Sequence, residues 1–106
     1  MAGAEVIRGE IWLVDLGMVQ KVRPVVVLSV QFEDHERALV TYVPRTTSLR
    51  HSRFEVAHQG RGFQPGAFDA QSIGTVPSAK FIRKIASLDA ATLAQVENTV
   101  RNWLGL

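Results

Sequence analysis

The side chains best suited to chemistry in this sequence are cationic and hydroxylic. Lys21 and Arg23 stand directly ahead of a proline and a β-branched run in KVRPVVVLS (21–29), and Arg45, Thr46, Thr47, Ser48 and Arg50 fall close together in VPRTTSLR (43–50). A guanidinium is a planar fork of donors that can bind two phosphate oxygens at once. A threonine hydroxyl beside it can donate to the same phosphate and hold it in line. Each residue also has a structural alternative. Arg23 could anchor a loop through a salt bridge to Asp15 or Asp69, and Thr46 could cap a turn after a strand. Charge distribution leaves both readings open: residues 45–84 hold seven Lys and Arg against Glu55 and Asp69, on a chain with a formal charge of only +2. That stretch would attract a polyanion such as nucleic acid if the fold gathers it on one face, and would otherwise be a solvated basic surface.

Histidines supply a rival acid–base reading, because their ordinary pKa near ~6.5 suits proton shuttling. His51 is the best placed, in the basic loop after TTS, although His35, His51 and His58 all read as exposed loop or strand-end residues. His35 with Asp34 and Glu36 reads as a solvated charged loop, with no metal site implied. The chain has no cysteine, which excludes thiolate catalysis, cysteine-ligated zinc and disulfides. The first residues lack a signal-peptide pattern, and no apolar run approaches the ~18 residues of a membrane span. The sequence therefore predicts a soluble, cytoplasmic protein, with residues 1–106 forming one domain.

The elements that must carry these residues are short strands. GEIWLVDL (9–16) is apolar on both faces, and PVVVLSV (24–30) reads as a buried central strand in which Pro24 is tolerated as the first residue. Residues 31–38 are polar, a loop with at most one helical turn; ALVTYVP (38–44) is a strand stopped by Pro44; RFEVAH (53–58) alternates as a half-buried strand does. QGRGFQPG (59–66) must turn, and the strand-like stretch that follows is broken near Gly74 and Pro77 by a bulge or a short gap. The period then changes. Leu93, Val96, Val100, Trp103 and Leu104 lie on one helical face, with Asp89 or Ser87 as the cap and Gly105 as the stop. Five to seven strands and one helix predict a mainly β chain, a small bent antiparallel sheet closed against a C-terminal α-helix.

Taken together and in order, RGEIWLVDL, KVRPVVVLS, VPRTTSLR followed by RFEV, FDAQSIGTVPSAKFIRKI and the helix ending in LGL resemble the MazF/PemK family of toxin endoribonucleases from bacterial toxin–antitoxin pairs. RPVVVLS is the most specific piece, and VPRTT with RFEV the next. The resemblance implies an SH3-like small barrel with a C-terminal helix, paired as a homodimer. It implies sequence-selective cleavage of single-stranded RNA without metal or cofactor, leaving a 2′,3′-cyclic phosphate and a 5′-hydroxyl, under control of a cognate antitoxin protein. Carried onto matching positions it makes Arg23 and Thr46 the catalytic pair.

On that reading Thr47 and Ser48 are close substitutes for Thr46, and Lys21, Arg50, Arg53, Lys80 and Arg83 steer the RNA backbone. Phe63, as an exposed aromatic, would stack on a base, whereas Trp12 belongs to the core or to a dimer contact. Two departures from the family stand out. The GMVQKV connection is short for a loop that usually helps bind RNA, and position 45 is an arginine that either touches phosphate or points to solvent. Two further readings compete: a toxin acting on a protein, since the gyrase poison CcdB shares a related barrel and a terminal tryptophan–glycine–apolar ending comparable with NWLGL, and an inactive interaction module.

Overall fold

The computed structural model describes residues 5–17 and 21–106, with the side chain of Lys21 also outside what is described. Its strands are β1 (Glu10–Gly17), β2 (Lys21–Val27), β3 (Leu39–Thr46), β4 (Glu55–His58), β5 (Gly66–Asp69), β6 (Gly74–Pro77) and β7 (Phe81–Ser87), and α1 (Ala90–Leu104) follows. Single turns of 3-10 helix at Ala70–Ser72 and Ser78–Lys80 break the stretch after β5 and again after β6, which is the gap expected near Gly74 and Pro77. Hydrogen bonding runs in the order β4-β5-β3-β2-β1-β7, with β6 also on β3. Among the described residues β7 does not pair back to β4, so the sheet is strongly bent and barrel-like without a continuous ring of strand pairing.

β3 is the hub of this arrangement. On one side it pairs with β2 through Val25↔Pro44, Val26↔Val43 and Val27↔Tyr42. On its other side Leu39–Tyr42 pair with β6, and Arg45 and Thr46 pair with β5. Two expected boundaries move as a result. β3 does not stop at Pro44, because that proline falls between the β6 ladder and the β5 ladder, where a missing N–H deprives no strand of a partner. β2 begins at Lys21, earlier than expected, which makes Arg23 a strand residue opposite Val14 of β1. Pro24 is accommodated inside the strand because the β2–β3 ladder starts only at Val25.

Alternation then sorts the apolar residues onto two faces. One packs Ile11, Val26, Val43, Phe54, Val56 and Phe68 against Val96 and Val100 of α1. The other gathers Trp12, Val14, Val25, Val27, Val40 and Tyr42, with Phe81 edge-on to Trp12 at 6.1 Å. Trp12 is thus a core residue, its indole N–H donated to Glu10 at 2.9 Å. Glu10 also receives Lys84 of β7 at 3.1 Å, and although burial opposes ionisation, these partners hold its carboxyl below the usual range.

The helix follows its apolar period. Asp89, not Ser87, is the cap, accepting the Thr92 N–H at 3.0 Å, and Gly105 ends the helix in the left-handed conformation at φ 73°. The stripe is buried in its middle and lifts away at its end: Val96 is fully buried, whereas Trp103 is 41 % exposed with its ring edge-on to Phe54 at 5.2 Å. No helix among the described residues is long and apolar enough to cross a membrane.

Candidate active site

The β2–β3 register decides where the two leading residues meet. Carried two positions past Val25↔Pro44, it sets Arg23 opposite Thr46, on the face shared by Val14, Val25 and Val27. The structure also links them through the backbone: half-buried Arg23 donates from Nη2 to the carbonyl of Arg45 at 2.9 Å, the peptide group that leads into Thr46. Asp15 and Asp69, the alternative anchors for Arg23, have local duties. Asp15 accepts the Gly17 N–H at 2.8 Å, and Asp69 caps the following turn through Gln71 at 3.1 Å and Ser72 at 2.8 Å.

Thr46 does make the turn cap considered for it. Its Oγ1 accepts the Ser48 N–H at 3.0 Å, which uses an oxygen lone pair and leaves the hydroxyl hydrogen with only a long 3.5 Å contact to the Ser48 carbonyl. Capping and donation to a ligand are therefore compatible, and the cap fixes which way the oxygen points. Thr47 and Ser48 are exposed immediately beyond.

The loop from 47 to 54 is organised by Glu55. Its carboxylate accepts the backbone N–H groups of Arg50 at 3.0 Å and His51 at 2.8 Å, which bends the chain enough that His51 takes a left-handed φ of 57°. Arg50 and His51 are both exposed there. Arg53 lies over the face of Phe54 at 4.5 Å, and the Phe54 ring also meets Trp103 in the last turn of α1. Lys80 is exposed just before Phe81, which pairs with Val14, the residue that also pairs with Arg23. Arg83 pairs with Leu13, and alternation sends it to the opposite face from Val14 and Arg23. The connection at 18–20 and the side chain of Lys21 lie outside the described residues.

Three expectations about the basic loops change. Arg45 neither reaches solvent nor offers itself to a phosphate: it is 4 % exposed, donating from Nε to His58 Nδ1 at 2.8 Å and from Nη2 to the His58 carbonyl at 2.8 Å and the Gln64 carbonyl. Burial lowers its pKa from the ordinary arginine value. Phe63 is not an exposed stacking platform, because its face is covered by the Arg45 guanidinium at 4.8 Å and its ring meets His58 at 5.3 Å. His58 is half-buried rather than exposed, and burial followed by the nearby charge of Arg45 lowers its pKa, with Asp89 opposing. Gly66 completes this packing, for a Cβ there would come within 2.5 Å of the Thr46 carbonyl oxygen and 2.8 Å of Arg45 Nη1. A histidine, a phenylalanine and a glycine spaced along AHQGRGFQPG were the available sequence signal, and periodicity gives no hint that one arginine collects them.

An arginine of β2 bonded to the peptide that leads into a threonine of β3 is an arrangement with the donors an oxyanion would need. Residues 7–104 match the profile of the PemK-like, MazF-like toxins of type II toxin–antitoxin systems. The chain belongs to this family. Comparison with curated protein sequences gives no match. Among solved structures, a Mycobacterium tuberculosis toxin, MazF-mt6, is 26 % identical over 92 % of this chain and 97 % of its own, with a TM-score of 0.78. A mycobacterial endoribonuclease in complex with its cognate antitoxin is 24 % identical over 94 % of this chain and 95 % of its own, with a TM-score of 0.80. MazE–MazF from Deinococcus radiodurans is 22 % identical over 97 % of this chain and 99 % of its own, again at a TM-score of 0.80. For the last two the likeness is one of fold, and it extends over the whole PemK/MazF-like domain.

Proposed function

We propose that this toxin is an endoribonuclease that cuts single-stranded RNA at a chosen sequence by internal attack of the 2′-hydroxyl. The observation that supports the reading is the Arg23 Nη2 bond to the carbonyl of Arg45, the residue that precedes Thr46. Scission through the 2′-oxygen needs that oxygen in line with phosphorus, and it needs the negative charge of the five-coordinate phosphorane stabilised. The nucleophile is tethered to the phosphate, so the reaction needs no metal, and its products are a 2′,3′-cyclic phosphate and a 5′-hydroxyl. Arg23 stabilises the developing charge, and Thr46 donates its hydroxyl to the same phosphate. A guanidinium stays protonated and is a poor base, so its role is electrostatic.

Arg50 and Lys80, with Thr47 and Ser48, approach from the flanking loops to hold the RNA backbone. The functional unit is a homodimer in the cytoplasm, and a cognate antitoxin with an acidic tail covers the basic end and excludes RNA. The test is a long single-stranded RNA incubated in EDTA with the protein, Arg23→Ala and Thr46→Ala. Metal-independent cutting by the parent, reduced ~10²- to 10³-fold in each variant, supports the assignment. Equal cutting by all three proteins refutes it. The rival reading, a toxin acting on gyrase through the helix end, draws on the 41 % exposure of Trp103 and the 87 % exposure of Leu106. Failure of the parent to cut RNA, together with gyrase inhibition abolished by Trp103→Ala, would establish it.

A further inference from the structure

Arg45 is buried without a carboxylate among the partners seen for it; its acceptors are an imidazole nitrogen and two backbone carbonyls, all brought by the 58–64 stretch. An arginine costs free energy to bury, and it is retained where its fork joins segments that are otherwise separate. Here the side chain joins β3 to the glycine-rich loop while its own carbonyl holds Arg23. Its chain neighbour is Thr46, whose carbonyl lies against Gly66 at the other end of the same loop. Both residues of the candidate active site are therefore one covalent or hydrogen-bonded step from Arg45.

The His58 end of this junction has only one workable proton arrangement. Because Nδ1 accepts from Arg45 Nε–H, the neutral ring carries its hydrogen on Nε2. A second proton would turn Nδ1 into a donor facing a donor, and would set one cation against another. The groups against the ring are Arg45 from β3, Phe68 from β5 and Phe63 from the loop, and Asp89 ahead of α1 acts on it through its charge. Only Asp89 favours the charged ring, and it is an exposed carboxylate already committed to the Thr92 cap.

We propose that Arg45 and His58 are positioning residues, a clasp that fixes Arg23 and Thr46 in working geometry as long as His58 is neutral. Neither touches the substrate; they act through the Arg45 peptide and the loop it restrains. Acidification ejects the imidazole from Arg45, the loop loosens from the end of β3, and the site disassembles while the rest of the sheet stays folded. This rests on the endoribonuclease reading for its effect on rate, but not for the clasp itself.

The experiment uses the full chain as parent, His58→Asn and Arg45→Lys, across about pH 5 to 8. Asparagine offers an oxygen close to where Nδ1 sits and does not titrate, so it keeps the acceptor and removes the switch. Nitrogen-15 NMR follows the His58 ring, Arg45 Nε–H, the Arg23 guanidinium and the Thr46 and Gln64 amides; RNA cleavage is measured in the same buffers. In the parent, the Arg45, Arg23 and loop signals shift with the His58 midpoint, and kcat falls with that midpoint while KM holds. In His58→Asn the rate at neutral pH is retained and the acid decline disappears. Arg45→Lys, lacking the fork, loses about 10²-fold in kcat at every pH. If the Arg45 and Arg23 signals ignore His58 protonation, or His58→Asn keeps the parent's acid decline, the clasp is refuted. A parent that shows the coupled NMR shifts yet cuts no RNA refutes the nuclease assignment and leaves the clasp standing.

Discussion

Replacing Gly66 by alanine adds one methyl group at the most crowded backbone approach near the site. The new Cβ would lie 2.5 Å from the Thr46 carbonyl oxygen, 2.8 Å from Arg45 Nη1 and 3.0 Å from Arg45 Cζ. Ordinary contact requires roughly 1 Å more, and neither neighbour is free to yield. The carbonyl belongs to a residue paired across β3 and β5 at Thr46↔Ala67, and the guanidinium is bonded to His58 and Gln64. Overpacking of this kind costs about 1–3 kcal/mol, offset by the ~0.4–1 kcal/mol that alanine gains through a less flexible unfolded chain. At the middle of those ranges the net loss is about 1.3 kcal/mol, which at roughly 4–8 °C per kcal/mol lowers Tm by about 5–10 °C. Thermal and urea unfolding followed by tryptophan fluorescence measure it. Gly62→Ala is the control, since at φ 83° with nothing within 4 Å it meets only the left-handed conformational penalty. Gly66→Ala should slow RNA cleavage as well, because the displaced carbonyl is that of Thr46, whereas Gly62→Ala should not. A Gly66→Ala protein as stable as the parent and equally active would show that the β3 end is not packed as described.

Two further outcomes are expected. His58 has its pKa lowered in the folded state by burial and by Arg45, so the folded protein binds the proton less tightly than the unfolded chain, whose histidine titrates near ~6.5. Its contribution to stability is therefore complete above about pH 6.5 and is lost as pH falls through the lowered folded value; urea midpoints should decline over that window for the parent and decline less for His58→Asn, and parallel curves would contradict the burial described. Glu55→Ala removes the carboxylate that holds the Arg50 and His51 amides, so hydrogen exchange at those amides should accelerate and RNA cutting should fall, while global stability changes by only about 1 kcal/mol; unchanged exchange at both amides would mean that the loop is held by something else.

The parts of this molecule legible in the sequence are those set by local periodicity. α1 announces itself through Leu93, Val96 and Val100 between a capping aspartate and a terminal glycine, and the buried run at Val25–Val27 marks the central strand. The juxtaposition of Arg23 and Thr46 was reachable by resemblance, yet its physical cause, a β2–β3 ladder ending at Val25↔Pro44 and an Arg23 hydrogen bond to the Arg45 carbonyl just beyond it, needs the three-dimensional structure. Pro44 misled because proline ends a strand only where its missing N–H would have been used. Arg45 was illegible for a different reason. It sits at the end of an apolar run, followed by exposed residues from Thr47 on, and the acceptors that justify burying it come from His58 and Gln64, which local pattern cannot connect to it. Phe63 followed the same way, covered by a residue whose burial was unforeseen.

β3 exchanges one neighbour for another along a single edge, β6 beside Leu39–Tyr42 and β5 beside Arg45 and Thr46. The change of partner divides labour within one continuous strand. Its first half is tied to the sheet on both edges, and its second half is held by β5 and the two loops that flank it. A change in either loop would therefore be felt at the tip of β3 before it reached the scaffold behind.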